Sequence, residues 1–154
     1  MRNGGNIWVG ALAGYAASRI MDQATTVFYA IQTERSKKRE EELAPGGTLV
    51  QLGKQLGTTA GRELADDQAG RVGLAVHRTF GVGYGMAAAA LAGRGMPPMK
   101  AGLTVGAAAW VLVDEGTALP TFTDYPVESH LRGVVGHGTL GLALGALLTL
   151  ISRS

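Results

Sequence analysis

Cysteine is absent from the 154 residues. That absence excludes disulfide frameworks, Cys-ligated zinc, iron–sulfur clusters and thiol catalysis, and it leaves the redox compartment unread. Charge is scarce: Asp, Glu, Lys and Arg make up 17% of the chain, where a soluble domain carries about a quarter. The charge is also nearly balanced, 14 basic residues against 12 acidic, so a net +2 points to no particular partner. Neither a Ser–His–Asp order nor an HExxH pattern occurs, which leaves hydrolytic and transfer catalysis without a basis. The length excludes two independent cores and sets one domain over 1–154.

What the chain does hold is glycine, 24 residues, with none of the three-residue period of collagen. Four apolar stretches follow one another: Ile7–Ile31, Val72–Ala92, Met99–Leu119 and His130–Ile151. Each matches the roughly 20 residues, at about 1.5 Å apiece, that cross a hydrocarbon core. The first is too long for a signal-peptide core, and Arg19 and Asp22 interrupt its centre. A soluble helical bundle is the rival, because mean hydropathy is only +0.14. However, Gly133–Ser152 and Thr79–Gly93 have no polar face, and a helix apolar all round lies in a core or in lipid. Glycine weakens helices in water by up to about 1 kcal/mol each, yet it is common where membrane helices pack closely. The expected fold is therefore all-α: a four-helix transmembrane bundle with an amphipathic helical insert, 32–71, between its first two helices.

Glycines four apart recur in every stretch: Gly10 and Gly14, Gly81 and Gly85, Gly102 and Gly106, Gly141 and Gly145. This spacing lets helix backbones approach closely, within the chain, with other membrane subunits or in self-association. The insert carries Arg35, Lys37, Lys38, Arg39, Lys54, Arg62 and Arg71, against Arg2, Arg94, Lys100 and Arg153 on the other side. The positive-inside rule then puts the insert in the cytoplasm and both termini outside. Within it, Gln32–Leu43 is expected to continue the first helix into water as a charged extension. Pro45-Gly46-Gly47 breaks that helix. Leu49, Leu52, Leu56, Ala60 and Leu64 then recur at helical spacing, for an amphipathic helix on the membrane, on a partner or on its own bundle. The alternating signs of Glu34–Glu42 describe a solvated face rather than a nucleic-acid site.

Two motifs fail on context. Gly53-Lys54 lacks the phosphate-loop glycine at Thr48 and the Ser or Thr at Gln55. Val82-Gly83-Tyr84-Gly85 resembles a potassium-selectivity filter but lies inside a continuous helical stretch.

The ionisable residues inside the spans are the candidate site, since each costs at least about 2.5–3.5 kcal/mol at bilayer depth. They are Arg19, Asp22, His77, Arg78, Asp114, Glu115, His130, Arg132 and His137. Counted inward from adjoining helix ends, the acids and imidazoles fall in one leaflet, roughly 6–14 Å below its surface. Three chemistries fit. A divalent transition metal would take one ligand per helix, most economically Asp22, His77, Glu115 and His137. Haem would take His77 and His137 as axial ligands. A proton relay would pass protons between imidazole and carboxylate. The alternative is a packing network in which Arg19 pairs with Asp22 while Arg78 and Arg132 neutralise Asp114 or Glu115.

The run Gly10-Ala-Leu-Ala-Gly14, Met21-Asp22, Thr25-Thr26, Tyr29, His77, Gly83-Tyr84-Gly85, Asp114-Glu115-Gly116, Pro120, His130 and Gly136-His137 resembles small bacterial multi-pass inner-membrane proteins of the YagU-like kind. The resemblance covers all four stretches. It implies the bacterial inner membrane as location and a lipid bilayer as partner, with no settled activity. The function expected is a membrane protein whose polar cluster handles protons, ions or a metal; an accessory subunit of a larger membrane complex is the alternative.

Overall fold

A computed structural model of the chain describes residues 3–114 and 124–152, with side chains from Ile7 onward. It is helical, and no strand occurs among the described residues. The elements are α1 (Asn3–Ile31), α2 (Glu34–Leu43), α3 (Thr48–Thr59), α4 (Asp66–Gly93), α5 (Pro98–Ala109) and α6 (Val127–Ser152). A π-helical turn, Trp110–Asp114, continues α5. Asp66 and Asp67 open α4, where acidic side chains meet the positive end of the helix dipole. Pro98 opens α5, a position whose missing N–H has no helical partner to lose.

The insert departs from expectation at two places. The charged segment does not continue α1: Thr33, in an extended conformation, accepts a hydrogen bond from the Ser36 backbone N–H and starts α2 as a separate helix. The amphipathic helix ends at Thr59 rather than reaching Leu64, because the chain reverses at Gly61, with φ of 70°, a left-handed conformation that glycine adopts without strain. Leu64 folds back against Gly57 instead. α3 lies on the first turns of α4, with Gly53 against the Ala69 backbone and Gly73 against the Leu49 backbone. It caps its own chain.

α1, α4, α5 and α6 pack as a ring in chain order, α1 on α4 and α6, α5 on α4 and α6. The glycine pairs set the tightest seams. A Cβ on Gly10 would lie 2.6 Å from the Gly85 carbonyl oxygen, and Gly14 faces Gly81 and Gly85. A Cβ on Gly106 would lie 2.5 Å from the His137 carbonyl oxygen, and Gly102 faces Gly141 and Gly145. Rising numbers on one helix meet falling numbers on the other, so both seams are antiparallel. The two pairs of glycine faces pack on each other within the chain.

Large and small residues are sorted in an unusual way. The core is Ala13, Ala17, Ala88, Ala89, Val105, Leu140, Leu144 and Leu148. Bulky apolar side chains point outward, among them Trp8, Leu12, Ile31, Leu112, Val127 and Leu150. By length and composition one helix, Val127–Ser152, is apolar enough to cross a membrane. α1 and α4 match it in length, at 29 and 28 residues, but glycine, alanine and charged residues dilute their hydropathy. Of the expected four spans, the last alone has that character among the described residues.

Candidate functional site

The ionisable side chains sort to one end of the ring, where α1 and α5 finish and α4 and α6 begin. They form three nodes rather than one cluster.

On the α1–α4 seam, Asp22 bridges two cationic or hydrogen-bonding groups of α4. Its Oδ1 lies 2.9 Å from His77 Nε2, and its Oδ2 accepts from Arg78. Arg78 also donates to Ser18 Oγ at 3.1 Å and stacks over the Tyr15 ring. Asp22 and His77 are partly open to the outside, with side chains 35% and 26% exposed. The spacing explains the node: Ser18 and Asp22 share a face of α1 at i, i+4, opposite consecutive residues of α4.

On the α5–α6 seam, His137 is buried and its Nδ1 lies 3.2 Å from both Asp114 Oδ2 and the Gly133 carbonyl oxygen. A carbonyl can only accept, so Nδ1 carries the proton. The π-helical turn brings Asp114 to this position, and such turns inside α-helices often mark functional sites. Gly133 makes room for it, because a Cβ there would lie 2.9 Å from Asp114 Oδ2 and 3.2 Å from Trp110 Nε1. Among the described residues the Trp110 indole N–H is buried without a partner.

The third node ties α2 to α6. Arg132 Nη2 donates to Glu40 Oε2 at 2.6 Å, and its Nη1 donates to Gln32 Oε1. Ser129 and Gln32 donate to Glu40 Oε1, and the Arg132 guanidinium stacks on Tyr29. Burial works to raise the Glu40 pKa, but the hydrogen bonds from Arg132, Ser129 and Gln32 outweigh it, and the carboxyl is held below its usual value. A cavity of ≈ 310 Å³ opens above this node, lined by Thr25, Thr26, Tyr29, Thr48, Tyr125 and Arg132. Burial pushes the Tyr125 hydroxyl up in pKa, against a hydrogen bond with Thr48.

Several sequence expectations change here. Arg19 does not pair with Asp22; it is exposed on the outer face of α1, because Asp22 turns toward α4. Arg78 neutralises Asp22 and Arg132 neutralises Glu40, not Asp114. The proposed metal set is split: Asp22 meets His77, while His137 meets Asp114. Glu115 lies outside the described residues. Among those described, no group of three His, Cys, Asp or Glu side chains converges as metal ligands would. His130 is half-buried in the first turn of α6.

Sequence reasoning missed Glu40, Gln32 and Ser36. It read their segment as solvated, yet Gln32 and Ser36 are buried. Part of the signal was present in the spacing: Ser36 and Glu40 share one face of α2 at i, i+4, while Gln32 lies in the break before it. No family model matches the chain, and no curated protein or solved structure is similar to it.

Proposed function

We propose that the chain is a small integral membrane protein of the bacterial inner membrane, crossing the bilayer four times with α1, α4, α5 and α6. The α2–α3 layer lies in the cytoplasm and both termini lie outside. Its carboxylate–imidazole pairs bind and release protons at the cytoplasmic side. One observation carries this reading: glycine and alanine line the α1–α4 and α5–α6 seams, with Val105, Leu140, Leu144 and Leu148 as the larger core residues, while Trp8, Leu12, Leu112 and Leu150 face outward. In water the hydrophobic effect would bury those large side chains. In lipid no such force acts between helices, and small residues at the seams are favoured instead.

Spans of about 20 residues, counted from the end that holds Arg94 and Ser152, reach the opposite boundary near Thr26, Leu74 and Arg132. Asp22, His77 and His137 then sit three to five residues beneath it, roughly 5–8 Å, within reach of cytoplasmic water. Farther in, Leu140, Leu144 and Leu148 close the interior with Ala13 and Ala17. The geometry therefore favours proton binding from one side over a conduit. Metal or haem binding is less favoured, since among the described residues no three His, Asp or Glu side chains converge and the two imidazoles sit on different seams. The accessory-subunit reading draws on the third node, whose bonds fasten α2 to α6. The location agrees with what the resemblance to multi-pass inner-membrane proteins implies.

Two measurements test the proposal. The chain is expected to remain in membranes after alkaline carbonate washing; release into the supernatant contradicts it. Purified protein is expected to take up protons on acidification that a His77→Gln/His137→Gln variant does not, because the two imidazoles are the proposed proton-binding groups. Equal uptake by both proteins would leave the accessory reading in possession.

A further inference from the structure

The outer face of α1 carries a stripe of which the nodes use only Tyr15, under the Arg78 guanidinium, and Thr26, at the rim of the cavity above the third node. Trp8, Leu12, Tyr15, Arg19, Gln23 and Thr26 follow at intervals of three or four residues, which places them on one side of the helix. All six are exposed. The stripe is ordered along its length. Its cytoplasmic half, Thr26 to Arg19, is polar and spans roughly 10 Å; its inner half, Tyr15 to Trp8, is aromatic and aliphatic over roughly another 10 Å. Ionisable residues within spans almost always face the bundle interior or a water-filled cavity. Arg19 faces neither, and it has no hydrogen bond or ion pair among the described residues.

The charge around it is unbalanced. Arg78 and His77 share the Asp22 carboxylate, and Arg19, three residues before it on α1, has no acidic partner among the described residues. One positive charge is left over on the lipid side of the seam. A second copy of the chain set against this face would bring a second surplus cation to the first. A phosphodiester would cancel it.

We propose that this stripe binds one anionic phospholipid, with its phosphate held by Arg19 and Gln23 and an acyl chain laid over Tyr15, Leu12 and Trp8. The inference rests on the membrane-spanning reading. Arg19 lies seven residues, roughly 10 Å, below Thr26, a depth from which a long arginine side chain can reach toward the headgroup level. Gln23, one turn nearer the boundary, supplies an amide donor, and Thr26 a hydroxyl. The polar-to-apolar order of the stripe follows the order of an amphiphile entering from the cytoplasmic leaflet.

The test uses the full chain extracted from carbonate-washed membranes, equilibrated in detergent with phosphatidylglycerol or phosphatidylcholine, and analysed by native mass spectrometry. The wild type is expected to retain one phosphatidylglycerol in preference to phosphatidylcholine by roughly fivefold, the scale of one basic side chain near an anionic surface. Arg19→Gln is expected to lose that preference, Gln23→Leu to weaken it, and Arg94→Gln at the opposite end to keep it. Inorganic phosphate is expected not to displace the lipid, because it lacks the acyl chain that fills the inner half. Because the side chain of Arg19 is exposed, unchanged melting of Arg19→Gln in phosphatidylcholine separates loss of the site from loss of the fold. Equal phosphatidylglycerol retention by Arg19→Gln overturns the proposal. So does disulfide dimerisation of Gln23→Cys, a clean probe in a cysteine-free chain, in vesicles containing phosphatidylglycerol, which would give the stripe to a second copy. A chain found in the washed membranes without this preference overturns the lipid site alone. A chain found in the carbonate supernatant overturns the site and the membrane-spanning reading together.

Discussion

Arg132 reaches Glu40, Gln32 and the ring of Tyr29 from a single position on α6. Its loss would strand a carboxylate whose side chain is only 13% exposed. Arg132→Ala is expected to cost a few kcal/mol, near the lower end of the roughly 3–5 kcal/mol for breaking a buried pair. Lys37→Ala removes a pair whose Glu34 side chain is 89% exposed, and is expected to cost about 0–1 kcal/mol. Thermal unfolding in one detergent compares the two, and equal costs would mean that the third node is hydrated. The same node predicts a pH dependence. The Glu40 carboxyl is held below 4.5 in the folded protein, so its contribution is complete above that unfolded-state value and is lost as pH falls through the folded-state pKa. Wild-type melting temperatures are expected to drop on acidification below about pH 4.5 by more than those of Glu40→Gln, in which this component is already missing. Parallel curves would contradict it. Identities at this scale were only half legible. The level of Asp22, His77, Asp114 and His137 followed from counting along spans, but their partners depended on which helices adjoin. The choice of Asp114 for His137 needed a π-helical turn that no spacing rule announces.

At the scale of helices, glycine decides which surfaces can touch. Gly83 and Gly85 lie two residues apart on α4, yet a Cβ on Gly83 meets nothing within 4 Å while Gly85 is pressed against Gly10 and Gly14. Gly85→Ala is expected to push α1 off α4 at a cost of about 1–3 kcal/mol. Gly83→Ala is expected to be neutral or stabilising by up to about 1 kcal/mol, the gain in helix propensity. Unfolding of the two variants side by side checks the seam, and similar behaviour would argue against it. The four glycine pairs were readable as close-packing faces because small residues four apart share a helix side. The pairing of α1 with α4 and α5 with α6 was not, since each face would have fitted any other. The break between α1 and α2 was also hidden. Thr33 is a good cap, but nothing in a run of helix formers such as Glu34–Leu43 demands that a new helix begin there.

For the molecule as a whole, the sequence reading and the folded chain agree on an all-helical ring with its titratable groups at one end. They part on how many helices have the composition of a span: the sequence reading counts four apolar stretches, and one of the described helices is apolar enough by length and composition. The physical reason is dilution. Glycine and alanine needed for close packing, and the charges of the polar end, lower the hydropathy of helices whose outer faces remain apolar. The most direct measurement is two-sided thiol labelling, which the absence of cysteine makes clean. Single cysteines are placed at Gln55 on α3 and at Gly93 at the end of α4, both exposed, and intact spheroplasts are treated with a membrane-impermeant maleimide before and after lysis. Four spans predict that Gly93→Cys is labelled in intact cells and that Gln55→Cys is labelled only after lysis. A chain held in the membrane by α6 alone would keep both positions on one side, and identical labelling of the two would contradict the account.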